Sequence, residues 1–326
     1  MNNPVYLTKT LALKSWNLNF KKTILLDKNS KITSVLNLPD LDLLITGNNN
    51  GNITIWIISI YKPVYSKNIH KSDITSICYL NNDKTIFAGS ADGRISKITF
   101  NIELNKFSYI LSDKVDGSII GLYSAIDGNL LCGVKNKIVY WEIERCSWIK
   151  DFEICDTINT ITSLYCSIEL KLLIVGLNDS KIKLFDPIDQ TTILIAEDSH
   201  CLTPVMCLTT CYMDDLLVLS STGEDNVLKI WNITDIKSTA AATPQKLLLK
   251  TEKFNGNIVK INYCNDYKSL FLVIQTGMFT LYDLTTGERK DFLNKKIPFT
   301  NGSYFGDGKN FLTVDTESSL DFYGSK

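Results

Sequence analysis

Histidine is scarce in this sequence: its 326 residues contain two, His70 and His200. They lie 130 positions apart and no Cys-x-x-Cys pair accompanies them, so we predict no metal site. Apolar runs are short, and none approaches the ~18 residues that a membrane-spanning helix needs. Basic residues cluster at most in pairs such as Lys21-Lys22 and the net charge is −1, which disfavours strong sequence-independent binding to nucleic acid.

A secretory signal is also not predicted, because the amino terminus lacks a basic region followed by an uninterrupted apolar stretch. The sequence has nine cysteines, an odd number. Five fall in predicted strands, where a small apolar side chain packs well: Cys78, Cys166, Cys207, Cys211 and Cys264. We therefore predict reduced, buried thiols in a cytoplasmic or nuclear protein.

A repeated unit fills almost the whole chain. Ile-Thr-Ser followed by an aliphatic residue begins at Ile32, Ile74 and Ile161, and a glycine follows each isoleucine by 15 positions. About nine positions later each unit has a large apolar residue: Trp56, Ile98, Trp141, Phe185, Trp231, Tyr282 and Tyr323. A period of 41 to 51 residues indicates a repeat architecture whose units cannot bury their apolar faces alone.

Each unit has the pattern of a small antiparallel sheet. Residues 43–45 and 216–219 are short apolar runs that suit strands covered on both faces. Residues 52–56 and 181–185 alternate between apolar and polar, which is typical of half-buried strands. Turn pairs such as Asp92-Gly93 separate the two kinds of strand. No long segment has the helical period, so we predict about four strands per unit.

These units resemble the WD-repeat β-propeller family, whose blades carry a Gly-Ser-x-Asp-Gly turn followed by Ile-Lys-Ile-Trp-Asp. Residues 89–93 match that turn and residues 228–232 match that strand, while residues 305–309 resemble the family's turn between its first two strands. The resemblance extends from about residue 20 to the end of the chain. It implies an all-β, seven-bladed propeller of four-stranded antiparallel blades.

The chain ends decide how such a ring closes. Residues 303–323 supply only three strands, and we predict that residues 20–26 add the fourth, which joins the two ends and removes exposed sheet edges. Residues 1–18 are then an extension or an extra strand on the rim, and residues 19–326 form one propeller. The alternative is that residues 11–26 contribute two strands. The first six predicted blades begin near residues 32, 74, 119, 161, 205 and 258, and blade seven takes the residues after 293. Residues 234–245 form an exposed loop.

Both histidines stand where the family has a Gly-His pair. The resemblance implies that this histidine bridges a strand Ser or Thr, the turn Asp and the tryptophan, a structural role that satisfies buried polar groups. The residues at these positions are His200, Ser220 or Ser221, Asp225 and Trp231 in blade five, and His70, Ser90 and Asp92 in blade two, where Ile98 replaces the tryptophan.

No catalytic set is predicted. Ser220, His200 and Asp225 could be imagined as a triad, but no strained nucleophile turn surrounds the serine. The glycines of residues 302–309 lack the spacing of a phosphate-binding loop. We therefore expect no cofactor and no small-molecule substrate.

The leading hypothesis is a non-catalytic scaffold that binds other proteins, as a subunit or adaptor of a multiprotein complex. In the family, the loops before the inner strands and the turns around the channel mouth receive partner peptides. The matching positions here are Lys31, Asp73, Asn159, Asn178 and Asn257.

Two alternatives belong to other classes. One is a propeller hydrolase, for which Asp73, Asp116 and Asp156 lie near the proper end of the channel and would have to converge in one pocket. The other is a propeller associated with RNA or phospholipid. The sequence lacks a paired-arginine motif for phosphoinositides, and its nearly neutral charge disfavours RNA.

Overall fold

The computed structural model describes residues 18–25, 30–81, 84–101, 106–124, 129–167, 169–236, 247–264, 268–293, 297–304 and 310–325. Within these ranges 28 strands form seven four-stranded antiparallel sheets. Helical backbone is confined, in the same ranges, to a 3-10 turn at Pro39–Leu41. The described residues contain no candidate membrane-spanning helix. The predicted all-β, seven-bladed architecture is confirmed.

The first four blades occupy residues 32–196. Blade one contains β2 (Ile32–Leu38), β3 (Leu43–Asn48), β4 (Asn52–Ile57) and β5 (Lys62–Asn68). Blade two contains β6 (Ile74–Leu80), β7 (Thr85–Ser90), β8 (Ile95–Asn101) and β9 (Lys106–Leu111). Blade three contains β10 (Ile119–Ser124), β11 (Leu130–Val134), β12 (Lys137–Glu142) and β13 (Ser147–Glu153). Blade four contains β14 (Ile161–Ser167), β15 (Leu172–Leu177), β16 (Ile182–Asp186) and β17 (Thr191–Ala196).

Three blades complete the set. Blade five contains β18 (Val205–Met213), β19 (Leu216–Gly223), β20 (Val227–Asn232) and β21 (Leu248–Lys253). Blade six contains β22 (Ile258–Cys264), β23 (Ser269–Ile274), β24 (Met278–Asp283) and β25 (Arg289–Leu293). Blade seven contains β26 (Phe299–Tyr304), β27 (Asn310–Asp315), β28 (Ser319–Ser325) and, from the other end of the chain, β1 (Leu18–Leu25).

The first strand of each blade faces a central channel. These inner strands contact one another in the order β2, β6, β10, β14, β18, β22 and β26, and β26 contacts β2 again, so the ring is closed. β1 pairs antiparallel with β28, which confirms the closure by three carboxyl-terminal strands and one amino-terminal strand. Residues 1–17, residues 237–246 of the predicted loop and residues 305–309 lie outside the described residues.

The core lies between blades. Among the described residues, seven apolar clusters each combine two neighbouring blades. Trp231 of blade five packs with Ile174 and Leu184 of blade four, and Trp56 of blade one packs with Phe322 of blade seven. Each sheet therefore buries its faces only when its neighbours are present, which is the physical reason for the repeat.

A threonine in three of the inner strands links one blade to the next. Thr33, Thr75 and Thr162 lie at a β-bulge directly after the first residue of β2, β6 and β14. Each hydroxyl donates to the carbonyl oxygen of the residue that begins the next inner strand, and the acceptors are Ile74 at 2.7 Å, Ile119 at 2.5 Å and Val205 at 2.8 Å. The repeated Ile-Thr-Ser is thus an inter-blade contact as well as a strand signal.

Candidate functional site

A buried hydrogen-bonded chain crosses blade five. The His200 ring lies between Asp225 and Ser221, with Nδ1 3.1 Å from the Asp225 carboxylate and Nε2 2.9 Å from the Ser221 hydroxyl. The indole N–H of Trp231 donates to the same hydroxyl at 2.9 Å. His200 and Ser221 are fully buried. The chain thereby ties the loop before β18, the turn after β19 and strand β20 together.

The hydrogen bonds define the protonation of this chain. The ionised Asp225 can only accept, so Nδ1–H donates to it, while Ser221 accepts from Trp231 and has its own hydrogen to donate to Nε2 of a neutral ring. That arrangement requires a neutral imidazole. Burial lowers the pKa of His200, against the opposing effect of the Asp225 carboxylate, and this also favours the neutral ring.

Of the two serines that the sequence left open as the partner of His200, Ser221 takes part in this hydrogen-bonded chain and Ser220 does not. Side chains alternate between the two faces of a strand, and consecutive residues of β19 therefore point to opposite sides. Ser221 faces His200, whereas the fully buried Ser220 hydroxyl has no hydrogen-bond partner among the described residues.

Blade two holds its histidine with a different hydroxyl. His70 Nδ1 lies 3.3 Å from Asp92, as the sequence predicts, but Nε2 lies 3.0 Å from Ser96 on β8. Ser90 has another role, because its hydroxyl accepts from the N–H of Asp92 and donates to the Ser72 carbonyl. Its assignment as a partner of His70 is therefore corrected to closure of the turn after β7.

The loop in front of β18 rests directly on the His200 chain. Asp198 accepts a hydrogen bond from the Leu202 N–H at 3.0 Å, and the Thr203 N–H donates to the His200 carbonyl at 2.9 Å. Within this frame Cys201 and Leu202 both have left-handed backbone, with φ of 51° and 60°. Such angles cost about 1–2 kcal/mol for an ordinary L-residue.

The same loop points an apolar side chain at solvent. Leu202 is 77% exposed, three positions before the first residue of β18. The equivalent position of the neighbouring blade, three before β14, is Ile158, which is 87% exposed. Blades two and three have exposed Lys71 and Asp116 at this position. Adjacent blades four and five therefore present an apolar pair, which we call the Ile158–Leu202 pair, on the face where the inner strands begin.

Comparison with known proteins agrees with this architecture. The family model described as WD domain, G-beta repeat matches residues 61–96, which cover the end of blade one and most of blade two. Together with seven four-stranded blades closed into a ring, this match supports a WD-repeat β-propeller family. No curated protein matches its sequence.

WD-repeat propellers generally act as scaffolds that bind other proteins, and they are typically non-enzymatic. The five positions that the resemblance assigns to partner binding all lie at the end of the propeller where the inner strands begin, in the loops or turns of blades one, two, four and six. Lys31 is exposed, whereas the other four are partly buried: Asp73, Asn159, Asn178 and Asn257.

Asn178 has a structural contact of its own. Its side-chain oxygen accepts from the Thr160 N–H at 2.9 Å, while its backbone N–H donates to the Thr160 carbonyl at 3.0 Å. In blade one Asn49 and Lys31 make the same reciprocal pair, through the Asn49 side-chain oxygen and the backbone groups of both residues. A change at Asn178 would therefore disturb the loop that carries Ile158 as well as any direct contact.

The three acids of the hydrolase alternative have separate surroundings. Asp116 is exposed and makes an ion pair with Lys135 at 2.6 Å, and this lysine lowers the pKa of its carboxyl group. Asp156 is exposed in the loop before β14, and Asp73 contributes its backbone carbonyl to the turn of blade two. Among the described residues no group of three or more His, Cys, Asp or Glu side chains could hold a metal ion.

Sequence reasoning missed the Ile158–Leu202 pair. The signal was available, because an apolar residue stands three positions before an inner strand in only these two blades of the five whose position is described. What could not be foreseen is the left-handed backbone of Cys201 and Leu202, since it depends on the contacts of Asp198, His200 and Thr203.

Proposed function

We propose that this chain is a non-catalytic protein-interaction scaffold, a subunit or adaptor of a multiprotein complex, that binds a partner peptide on the face where the inner strands begin. The observation that carries the proposal is the exposed Leu202 in a left-handed loop anchored on the buried His200 chain. A costly backbone conformation that exposes a leucine is retained more readily where a ligand uses it.

The composition of the face supports a peptide ligand. Exposed apolar residues that are neighbours on adjacent blades give a partner a desolvated anchor point, and polar groups around them supply orientation. Lys31, Asp73, Asn159 and Asn257 lie on the same face and are proposed as its polar surroundings. Free thiols such as Cys78, Cys132 and Cys211 support a reducing compartment, the cytoplasm or nucleus.

The direct test is affinity purification from the native cell, followed by quantitative mass spectrometry. The bait variant is the double substitution Ile158→Asn and Leu202→Asn. The matched control is Ile188→Asn, since Ile188 is 68% exposed but lies in the turn between β16 and β17, at the opposite end of the propeller. We expect the double variant to lose the partners that wild type and Ile188→Asn both retain.

Stability separates loss of contact from loss of fold. Asparagine tolerates left-handed backbone better than leucine, so Leu202→Asn should unfold at the same temperature as wild type or a higher one. Capture of an identical partner set by all three baits would show that this face is not the binding site. A lower melting temperature for Leu202→Asn would show that its side chain stabilises the propeller instead.

A further inference from the structure

The central channel runs between the face that carries the Ile158–Leu202 pair and the opposite face of the propeller. Its cavity of about 590 Å³ is lined by the inner strands of blades two to six, mainly by hydroxyl, thiol, aromatic and aliphatic side chains. Two lining residues are charged, Glu169 and Lys260. Glu169 follows β14 and lies where the inner strands end, hydrogen-bonded to Ser167 and Thr210. Lys260 lies near the other end, as the third residue of β22.

Lysine is the exception at its position in the ring. Lys260 directly follows the bulge of β22. Five other inner strands have a bulge at the same place, and each has a small or uncharged residue after it: Ser34, Ser76, Ser163, Cys207 and Asn301. Cys207 is the equivalent residue in blade five. Burial raises the pKa of its thiol, and the positive charge of Lys260 acts in the opposite direction. The ammonium group therefore lies close enough to blade five to act electrostatically on this thiol.

Lys260 has no counterion in the part of the chain that the structure describes. It is half-buried, and neither an ion pair nor a hydrogen bond satisfies its three donors there. A partly desolvated ammonium without a partner is unfavourable compared with a small neutral side chain, which the other blades place at this point. An anionic group from a ligand would supply the missing interaction.

We propose that Lys260 binds the carboxylate of an acidic residue in the partner peptide, while an adjacent apolar residue of that peptide packs on Leu202 and Met206. The inference rests on the proposed function, because it names the chemistry of the same face. Met206 is the exposed bulge residue of β18 and lines the channel together with Lys260. It connects the lysine with the loop that carries Leu202.

The charge of the channel favours a carboxylate over a phosphate. Lys260 is the one cation among the lining residues, and no arginine accompanies it. Its single positive charge can neutralise one negative charge on a ligand, which is the charge of a carboxylate. A phosphate carries nearly two charges and is bound most strongly by bidentate arginine. Glu169 at the far end of the channel would repel the surplus charge.

Peptide selection tests the recognition. Phage-displayed random dodecapeptides are selected on wild type, Lys260→Ala, Lys260→Glu and the control Lys253→Ala, whose lysine is exposed on the outer strand β21. Wild type and control should enrich Asp or Glu next to Leu, Ile, Met or Phe. Lys260→Ala should lose the acidic preference and keep the apolar one, and Lys260→Glu should select Lys or Arg instead.

Binding constants then isolate the pair of groups. Fluorescence anisotropy is measured with a selected fluorescein-labelled peptide, its Glu→Gln analogue and its Glu→phosphoserine analogue. Wild type should bind the Gln analogue about tenfold more weakly than the Glu peptide. Lys260→Ala should bind the two peptides equally well, because this variant has already lost the charge-assisted hydrogen bond. Phosphoserine binding more tightly than Glu would overturn the assignment of a carboxylate.

The failure of this inference differs from failure of the proposed function. If the Ile158→Asn and Leu202→Asn variant loses peptides while the Lys260 variants select the wild-type motif, the face stands and the lysine has no part in recognition. If wild type selects no peptide at all, both are overturned. Circular dichroism melts of the Lys260 variants should match or exceed wild type, which excludes unfolding as the cause of lost selection.

Discussion

At the scale of single residues, the tryptophan of blade three reveals how much one acceptor matters. Thr46, Ser221 and Cys132 share one register position, opposite the residue two before the blade's tryptophan. The hydroxyls of Thr46 and Ser221 accept from Trp56 and Trp231 at 3.0 and 2.9 Å. Cys132 offers only a thiol, and the fully buried indole N–H of Trp141 has no hydrogen-bond partner among the described residues.

Cys132→Ser should therefore stabilise the protein. The new hydroxyl is nearly isosteric and gives the Trp141 N–H an acceptor, for a gain of about 0.5–1.5 kcal/mol in the free energy of unfolding. Urea or thermal melts measure it. Cys211→Ser is the matched control, since Cys211 is likewise buried in an apolar cluster, whereas the tryptophan of blade five already donates to Ser221. The control should lose stability, and a loss in both variants would contradict the prediction.

The two histidines predict a pH dependence. Burial lowers the pKa of both His70 and His200 below the usual value of 6.5. Above that value the ring is neutral in the folded and unfolded states, so the histidines add no proton linkage. As pH falls through 6.5 the unfolded chain binds protons first, and stability should decrease by up to about 1.4 kcal/mol per pH unit for each ring.

Thermal melts between pH 7.5 and 5 measure this slope. The double variant His70→Gln and His200→Gln should be less stable than wild type at pH 7.5, because both buried hydrogen-bond networks are broken. Its stability should depend less on pH than that of wild type. The carboxyl group of Asp92 has a lowered pKa, so its contribution is lost at a lower pH and does not overlap this window. An equal slope in wild type and double variant would contradict the assignment to histidine.

The limits of prediction from sequence are clearest at this scale. The spacing of His200, Asp225 and Trp231 could be matched to a family pattern, but two adjacent serines left the register open by one residue, and only strand pairing selects Ser221. The role of Ser96 as the partner of His70 was not predicted, because this serine lies on the next strand, β8. Blade two has no tryptophan in this network, and Ser96 satisfies His70 instead. Both outcomes depend on three-dimensional contacts that spacing does not encode.

At the scale of strands, prediction was more complete. Five predicted blades, at residues 32–67, 74–112, 119–153, 161–197 and 258–293, agree with the observed strands to within one residue at each end. The agreement has a physical basis, since a one-residue slip in an inner strand would turn its apolar side chains out of the inter-blade cores. What spacing did not show is that the Thr of Ile-Thr-Ser bonds to the following blade.

That bond predicts a loss in Thr162→Val. Valine keeps the shape and the strand propensity but removes the donor to Val205, which should cost about 0.5–1.5 kcal/mol of unfolding free energy. Hydrogen exchange should also quicken at the start of β18. The control is Thr192→Val on the exposed outer strand β17, where no change is expected. If both variants unfold alike, the inter-blade bond contributes no stability.

At the scale of the whole molecule, stability depends on closing the ring. β1 pairs along its length with β28, Thr23 donates to the buried carboxylate of Asp321, and Ile24 packs on the cluster shared by blades seven and one. One short strand therefore covers the edge of blade seven and also contributes to the contact between the last blade and the first. An uncovered β28 would offer unpaired backbone groups to other molecules.

Ile24→Asp tests this closure. A charge placed against the apolar cluster should detach β1, lower the free energy of unfolding by about 2–4 kcal/mol and promote self-association through β28. Hydrogen exchange measured by mass spectrometry should show β1 and β28 losing protection together, followed by the strands of blade one that share the cluster. The matched control is Ile188→Asp, whose side chain is exposed in the turn between β16 and β17 and should leave exchange unchanged. If β28 stayed protected in Ile24→Asp, the contacts between inner strands alone would hold the ring, and the amino-terminal strand would be an accessory to a propeller that closes without it.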